Sequence, residues 1–137
     1  MSWSGVKKQI SVDIKIIEAW CEGMCIENYT INNKGEIDVD GGVYLTYKLG
    51  SLEALPYKFG RVSGDFNMSY NRNIKSLKNC PDYIGDSFLC SYCPKLESLE
   101  GCPKVIKCLF ICEECGKKFT KQYVKSLCHI INKNIFV

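Results

Sequence analysis

Apolar and polar positions along this chain alternate in short stretches, and the pattern returns at a fixed interval. Cutting after Gly42 yields four stretches of 22 residues: VYLTYKLGSLEALPYKFGRVSG, DFNMSYNRNIKSLKNCPDYIGD, SFLCSYCPKLESLEGCPKVIKC and LFICEECGKKFTKQYVKSLCHI. The second position is aromatic throughout, as Tyr44, Phe66, Phe88 and Phe110. The tenth is apolar in three units (Leu52, Ile74, Leu96), and so is the thirteenth (Leu55, Leu77, Leu99). The twentieth carries Val62, Ile84 and Ile106. Self-similarity at such a period marks a solenoid, in which each unit buries its apolar side against its neighbours. Each unit opens on an apolar-x-apolar stretch, predicting one short strand with alternating faces. The seventh position then carries Asn71, Cys93 or Cys115, in the column of Leu49. A side chain turning inward there can hydrogen-bond loop backbone that would otherwise be buried unpaired.

The flanks break the repeat, as the two ends of a stack must. Residues 11–24 place Ile14, Ile17, Cys21 and Met24 at helical spacing, with Ser11 as the expected N-cap. NYTIN and EIDVD then alternate as two strands joined by Asn33-Lys34-Gly35. In the fourth unit Lys118 and Lys121 replace leucines, and Thr120 is positioned to cap a helix from Lys121 to about His129. Val124, Leu127, Cys128 and Ile131 make its apolar stripe, and the closing NIFV can add a strand. The expected organisation is one domain over 1–137. It comprises an N-terminal cap at 10–42, three repeats at 43–108, and a divergent fourth repeat with C-terminal cap at 109–137. The fold class is an α+β repeat protein, a short leucine-rich-repeat-like solenoid with a parallel sheet.

Composition adds little to that picture except through cysteine. With 46% hydrophobic and 24% charged residues the chain is ordinary for a globular domain, and a net charge of +3 spread among acids gives no concentrated basic face for nucleic acid. No apolar run approaches the roughly 20 residues that cross a bilayer. The N-terminal residues have no continuous apolar leader, so a reducing cytoplasm is expected, where disulfides rarely persist.

Ten cysteines therefore need another account. Cys90 and Cys93, then Cys112 and Cys115, form two CxxC pairs, the pattern of a four-thiolate zinc site. Adjacent rungs lie only about 4.8 Å apart, so such a site remains an alternative, and with it a zinc-stabilised structural protein. The offset between the pairs is, however, the repeat length. Cys90 and Cys112 fall in the fourth column with Thr46 and Met68, Cys80 and Cys102 in that of Lys58 and Val124, and Cys128 beside Val62, Ile84 and Ile106. Cysteine behaves as a small buried hydrophobe, so packing explains them without metal or other cofactor.

NYTINNKGEIDVDGGVYL at 28–45, SLxxCP at 76–81 and 98–103, and FICEECGKKFT near the end resemble small leucine-rich-repeat-like proteins of tailed bacteriophages and some bacteria. The likeness spans roughly 10–137, although two of three strand units carry Cys where that group more often has Asn. It implies a fold and a viral setting, and no reaction or catalytic residue.

Catalysis needs converging groups. The single histidine, His129, has only Cys128 beside it, and Asp38 and Asp40 are read as solvated. The expected function is instead a non-catalytic protein-binding module using the outward strand face. Its candidate residues are Leu45, Tyr47, Asn67, Tyr70, Leu89, Tyr92 and Ile111. The partner is a protein, taken to be of the host, with the chain acting as an inhibitor of a host enzyme or defence factor. A second copy of the chain covering the same face is the other expected occupant.

Overall fold

The structure is a computed structural model that describes the backbone of residues 3–137 and the side chains of residues 13–137. A long helix, α1 (Trp3–Gly23), leads into an antiparallel pair, β1 (Tyr29–Ile31) and β2 (Ile37–Val39). The chain then winds through β3 (Val43–Tyr44), β4 (Phe59–Val62), β5 (Phe66–Asn67), β6 (Tyr83–Ile84), β7 (Phe88–Leu89), β8 (Val105–Ile106) and β9 (Leu109–Ile111). A short helix α2 (Lys121–Leu127), β10 (His129–Ile130) and β11 (Asn134–Phe136) complete it. The strands form two sheets, ordered β1-β2-β4-β6-β8-β10 and β11-β9-β7-β5-β3, with every pairing after β1–β2 parallel. This is a parallel β-solenoid of about five turns with two helices.

One strand per unit was expected, and each turn contributes two. The second comes from the column of Val62, Ile84 and Ile106, whose residues are fully buried and pair rung to rung. Ile130, not Cys128, continues that column beside Ile106. Cys128 instead ends α2 and is buried there. The core between the sheets is built of stacked like residues. Phe66, Phe88 and Phe110 lie ring over ring, with centroids 6.1 and 5.6 Å apart. Leu55, Leu77 and Leu99 are buried in the same core. Each such side chain contributes about 1.5–3 kcal/mol by burial.

The first turn is one residue longer in its strand register. Val43 pairs with Phe66, and Tyr44 with Asn67, an offset of 23 rather than 22. The extra residue is absorbed between Leu45 and Leu49, where the Lys48 N–H turns back to the Leu45 carbonyl at 3.1 Å. A one-residue shift exchanges the faces of a strand. Tyr44, expected inside with the phenylalanines, is therefore exposed, and Leu45, expected outside, is fully buried in the column of Met68, Cys90 and Cys112.

At the N-terminal end, Ile17 and Cys21 join the core, and Trp20 meets Tyr57 and Phe59 edge-on at 5.8 and 6.1 Å. Ser11 falls within α1 rather than ahead of it, and its side chain lies outside the described residues. The helix closes at Cys25, whose φ of 60° is left-handed. The Ile26 N–H reaches the Cys21 carbonyl at 3.0 Å and the Cys25 N–H the Glu22 carbonyl at 3.1 Å, satisfying the last turn. At the other end Thr120 Oγ1 accepts the Tyr123 N–H at 3.1 Å, the expected N-cap. Val124 and Cys128 are buried, but Leu127 and Ile131 are exposed: α2 ends too soon for Ile131 to belong to its inner stripe.

Candidate functional site

The backbone leaves the second sheet through the same conformation on successive rungs. Tyr47, Tyr70, Tyr92 and Glu114 have φ of 62, 60, 56 and 53°, all left-handed. The residue that follows the turn anchors it from inside. Asn71 Nδ2 donates to the carbonyls of Met68 (2.8 Å), Leu45 (3.0 Å) and Ser69 (3.3 Å), and Asn71 Oδ1 accepts the Leu49 N–H at 3.0 Å. One rung on, the Cys93 thiol donates to the carbonyls of Met68 and Ser91, each at 3.6 Å. One further, Cys115 donates to those of Cys90 (3.1 Å) and Glu113 (3.7 Å). The seventh column thus turns inward and pairs loop backbone, whether it holds amide or thiol.

That anchoring throws the preceding side chain outward. Tyr47, Tyr70 and Tyr92 form a ladder of parallel rings, with centroids 5.1 and 4.8 Å apart and planes 21 and 8° from parallel. Although stacked, they are 76, 43 and 48% exposed. An open groove of about 500 Å³ is lined by the three rings together with Arg72, Asn73 and Pro94. On the sheet face beside the ladder, Asn67, Leu89 and Ile111 pair in register and stand half-exposed. Tyr44 and Phe136 extend this column at its two ends, 57 and 49% exposed. Between ladder and column lie Ser69 and Ser91. Their hydroxyls accept the Ser91 N–H at 3.0 Å and the Glu113 N–H at 2.9 Å, forming a flat floor.

Six of the seven predicted contact residues are therefore brought to one surface. Leu45 is not, for the register reason given above. Tyr44 and Phe136 were missed. Tyr47 belongs to the ladder rather than to the strand column to which the uniform repeat assigned it.

The four thiols considered as zinc ligands are each turned to carbonyls or buried. Cys90 is wholly buried, which pushes its thiol up to about 11. Burial likewise raises Cys93 to about 11. Among the described residues no group of three or more His, Cys, Asp or Glu side chains is arranged to hold a metal ion. His129 is exposed while the neighbouring Cys128 is buried, burial pushing its thiol up to about 12. Asp38 and Asp40 are tied to the next rung: Asp38 Oδ1 accepts the Arg61 N–H at 2.8 Å, and Asp40 Oδ1 the Ser63 hydroxyl at 3.1 Å. A second groove, of about 590 Å³, contains Lys58, whose ammonium is committed to Asp82 (3.0 Å) and the carbonyls of Cys80 (2.6 Å) and Phe59 (2.7 Å).

The fold and this surface define a short parallel β-solenoid presenting an aromatic ladder. Comparison with protein-family models, with curated proteins and with solved structures finds no match for the chain. No helix among the described residues is long and apolar enough to cross a membrane.

Proposed function

We propose that the chain is a non-catalytic protein-binding module whose working surface is the tyrosine ladder with the adjoining Asn67, Leu89 and Ile111 column. The observation that carries this reading is three exposed, mutually stacked rings on successive rungs. Tyrosine is enriched at interface hot spots, where a single anchor can contribute about 2 kcal/mol or more. The ladder holds its rings rigid before any partner arrives, which lowers the ordering cost of association. The finer identity expected from the sequence belongs to the same proposal: a leucine-rich-repeat-like solenoid closed by α1 and α2, related to proteins of tailed phages. A host protein in the host cytoplasm is then the partner, and the chain inhibits it.

The test is capture from bacterial lysate by the wild type and by the double variant Tyr70→Ala with Tyr92→Ala, with circular dichroism on both. The expected result is a protein retained by the wild type and lost by a variant that remains folded. Equal capture by both, or an unfolded variant, refutes the assignment. If sizing shows the wild type as a dimer and the variant as a monomer, the face holds a second copy instead.

A further inference from the structure

Three cysteine side chains meet at Cys112, which hydrogen-bonds to both Cys90 and Cys115. Cys112 Sγ and Cys115 Sγ lie 3.4 Å apart, and both point at the Cys90 carbonyl, at 3.5 and 3.1 Å. The turn between them contains Glu114 in the left-handed conformation, which folds the chain so that the two thiols face each other. Their exposure differs: Cys112 is buried, whereas Cys115 is half-exposed. One sulfur is therefore reachable from solvent, and the other lies behind it, in contact. That is the arrangement of an attacking thiol and its resolving partner.

We propose that Cys112 and Cys115 are an oxidisable dithiol that exchanges with low-molecular-weight disulfides to form an intramolecular disulfide. In the first step the Cys115 thiolate attacks one sulfur of R–S–S–R. A Cys115–SR bond forms, the R–S–S–R bond breaks, and the departing thiolate takes up the proton that Cys115 released. In the second step the Cys112 thiolate attacks the Cys115 sulfur. The Cys112–Cys115 bond forms, the second RS⁻ leaves, and it is protonated in turn. Two protein thiols are oxidised and one small disulfide is reduced to two thiols. The sulfurs close from 3.4 Å to about 2.05 Å and release the Cys90 carbonyl.

The hydrogen bond shared with Cys112, which favours the protonated Cys115, and then burial hold the Cys115 thiol well above its ordinary value. Thiolate is scarce at neutral pH as a result, and the exchange accelerates as pH rises. Glu114 continues the left-handed column of Tyr47, Tyr70 and Tyr92, so the bond would fasten the corner next to the end of the ladder. The proposal does not depend on that surface having a partner.

Reduced protein is incubated with oxidised glutathione in mildly alkaline buffer, then alkylated, weighed intact and peptide-mapped. The Cys112 and Cys115 thiols should both disappear as a disulfide joining the two, with no glutathione retained on either, while any mixed disulfide on the exposed Cys25 is mapped separately. The Cys112→Ser variant should keep a glutathione on Cys115, and Cys115→Ser should keep none on Cys112. The wild-type map stands without either variant if a substitution fails to fold. Cys112 and Cys115 both surviving, a disulfide joining either of them to another cysteine, or glutathione retained on either in the wild type overturns the proposal.

Discussion

Replacing Asn71 by alanine tests how the corners of the solenoid are held. Asn71 is 2% exposed and makes four hydrogen bonds to backbone, between 2.8 and 3.3 Å. Alanine strands the Leu49 N–H, and an orphaned buried donor costs about 1–3 kcal/mol. The carbonyls lose less. That of Leu45 still accepts the Lys48 N–H at 3.1 Å, and that of Met68 still accepts the Cys93 thiol at 3.6 Å. Together these losses amount to about 2–4 kcal/mol, a large share of the roughly 5–15 kcal/mol that keeps a domain folded.

Cysteine at the same position gives the argument a direction. Cys93 occupies the column one rung on and donates to two carbonyls. Asn71→Cys should therefore restore a donor toward Leu45 and Ser69 without restoring a good acceptor for Leu49, and recover about 1 kcal/mol of the loss. Urea unfolding followed by circular dichroism and by tryptophan fluorescence measures this, Trp20 reporting from beside Tyr57 and Phe59. The expected order of stability is Asn, then Cys, then Ala. An alanine variant within about 0.5 kcal/mol of wild type, the range of ordinary surface changes, refutes the reasoning. So does a cysteine variant less stable than alanine.

Two further outcomes follow from the core columns. Leu77→Ala and Leu99→Ala should each cost about 2–5 kcal/mol in the same assay, since both side chains are fully buried, and a trivial loss at both sites would remove them from the core. The fold should also loosen in alkali. Cys90, Cys93 and Cys102 are raised by burial from 9.0 to about 11, so their contribution is complete below pH 9 and disappears as pH rises through about 11. A fluorescence-monitored pH titration showing no loss of stability across that window would contradict it.

Much of this arrangement was legible in the chain because a solenoid writes its contacts into its period. Phe66, Phe88 and Phe110 stand one rung apart in space because they stand 22 residues apart in sequence. The error was to impose that period on the first unit. Aligning Thr46-Tyr47 with Ser69-Tyr70 and Ser91-Tyr92 gives offsets of 23 and 22, and it moves Tyr47 into the ladder and Leu45 into the core. The Ser/Thr-Tyr pair was the available signal, and the constant aromatic second position masked it, because Tyr44 resembles Phe66 in type while facing the other way. The second strand of each turn was harder to read. Tyr83–Ile84 and Val105–Ile106 are adjacent apolar pairs rather than an apolar-x-apolar alternation, and only their parallel pairing makes them strands.

The ladder is also where local preference and observed backbone disagree. A left-handed residue other than glycine costs roughly 1–2 kcal/mol, and asparagine bears it most easily. Elsewhere the chain makes that choice at Asn28 (φ 56°) and Asn79 (φ 71°), and departs from it at Cys25, Glu114 and Lys133. At three successive corners it places tyrosine instead. Stacking returns about 0.5–1.5 kcal/mol per ring pair, and there are two pairs for three strained residues. The stack offsets part of the strain and does not exceed it, and the rings stay outside the core, Tyr47 mostly exposed and Tyr70 and Tyr92 about half exposed. Strain and stacking by themselves therefore do not favour tyrosine here, where asparagine would hold the turn with less strain. What the three rings add, and asparagine would not, is a rigid aromatic edge along one side of the sheet, and that edge is the surface on which the proposed binding function rests.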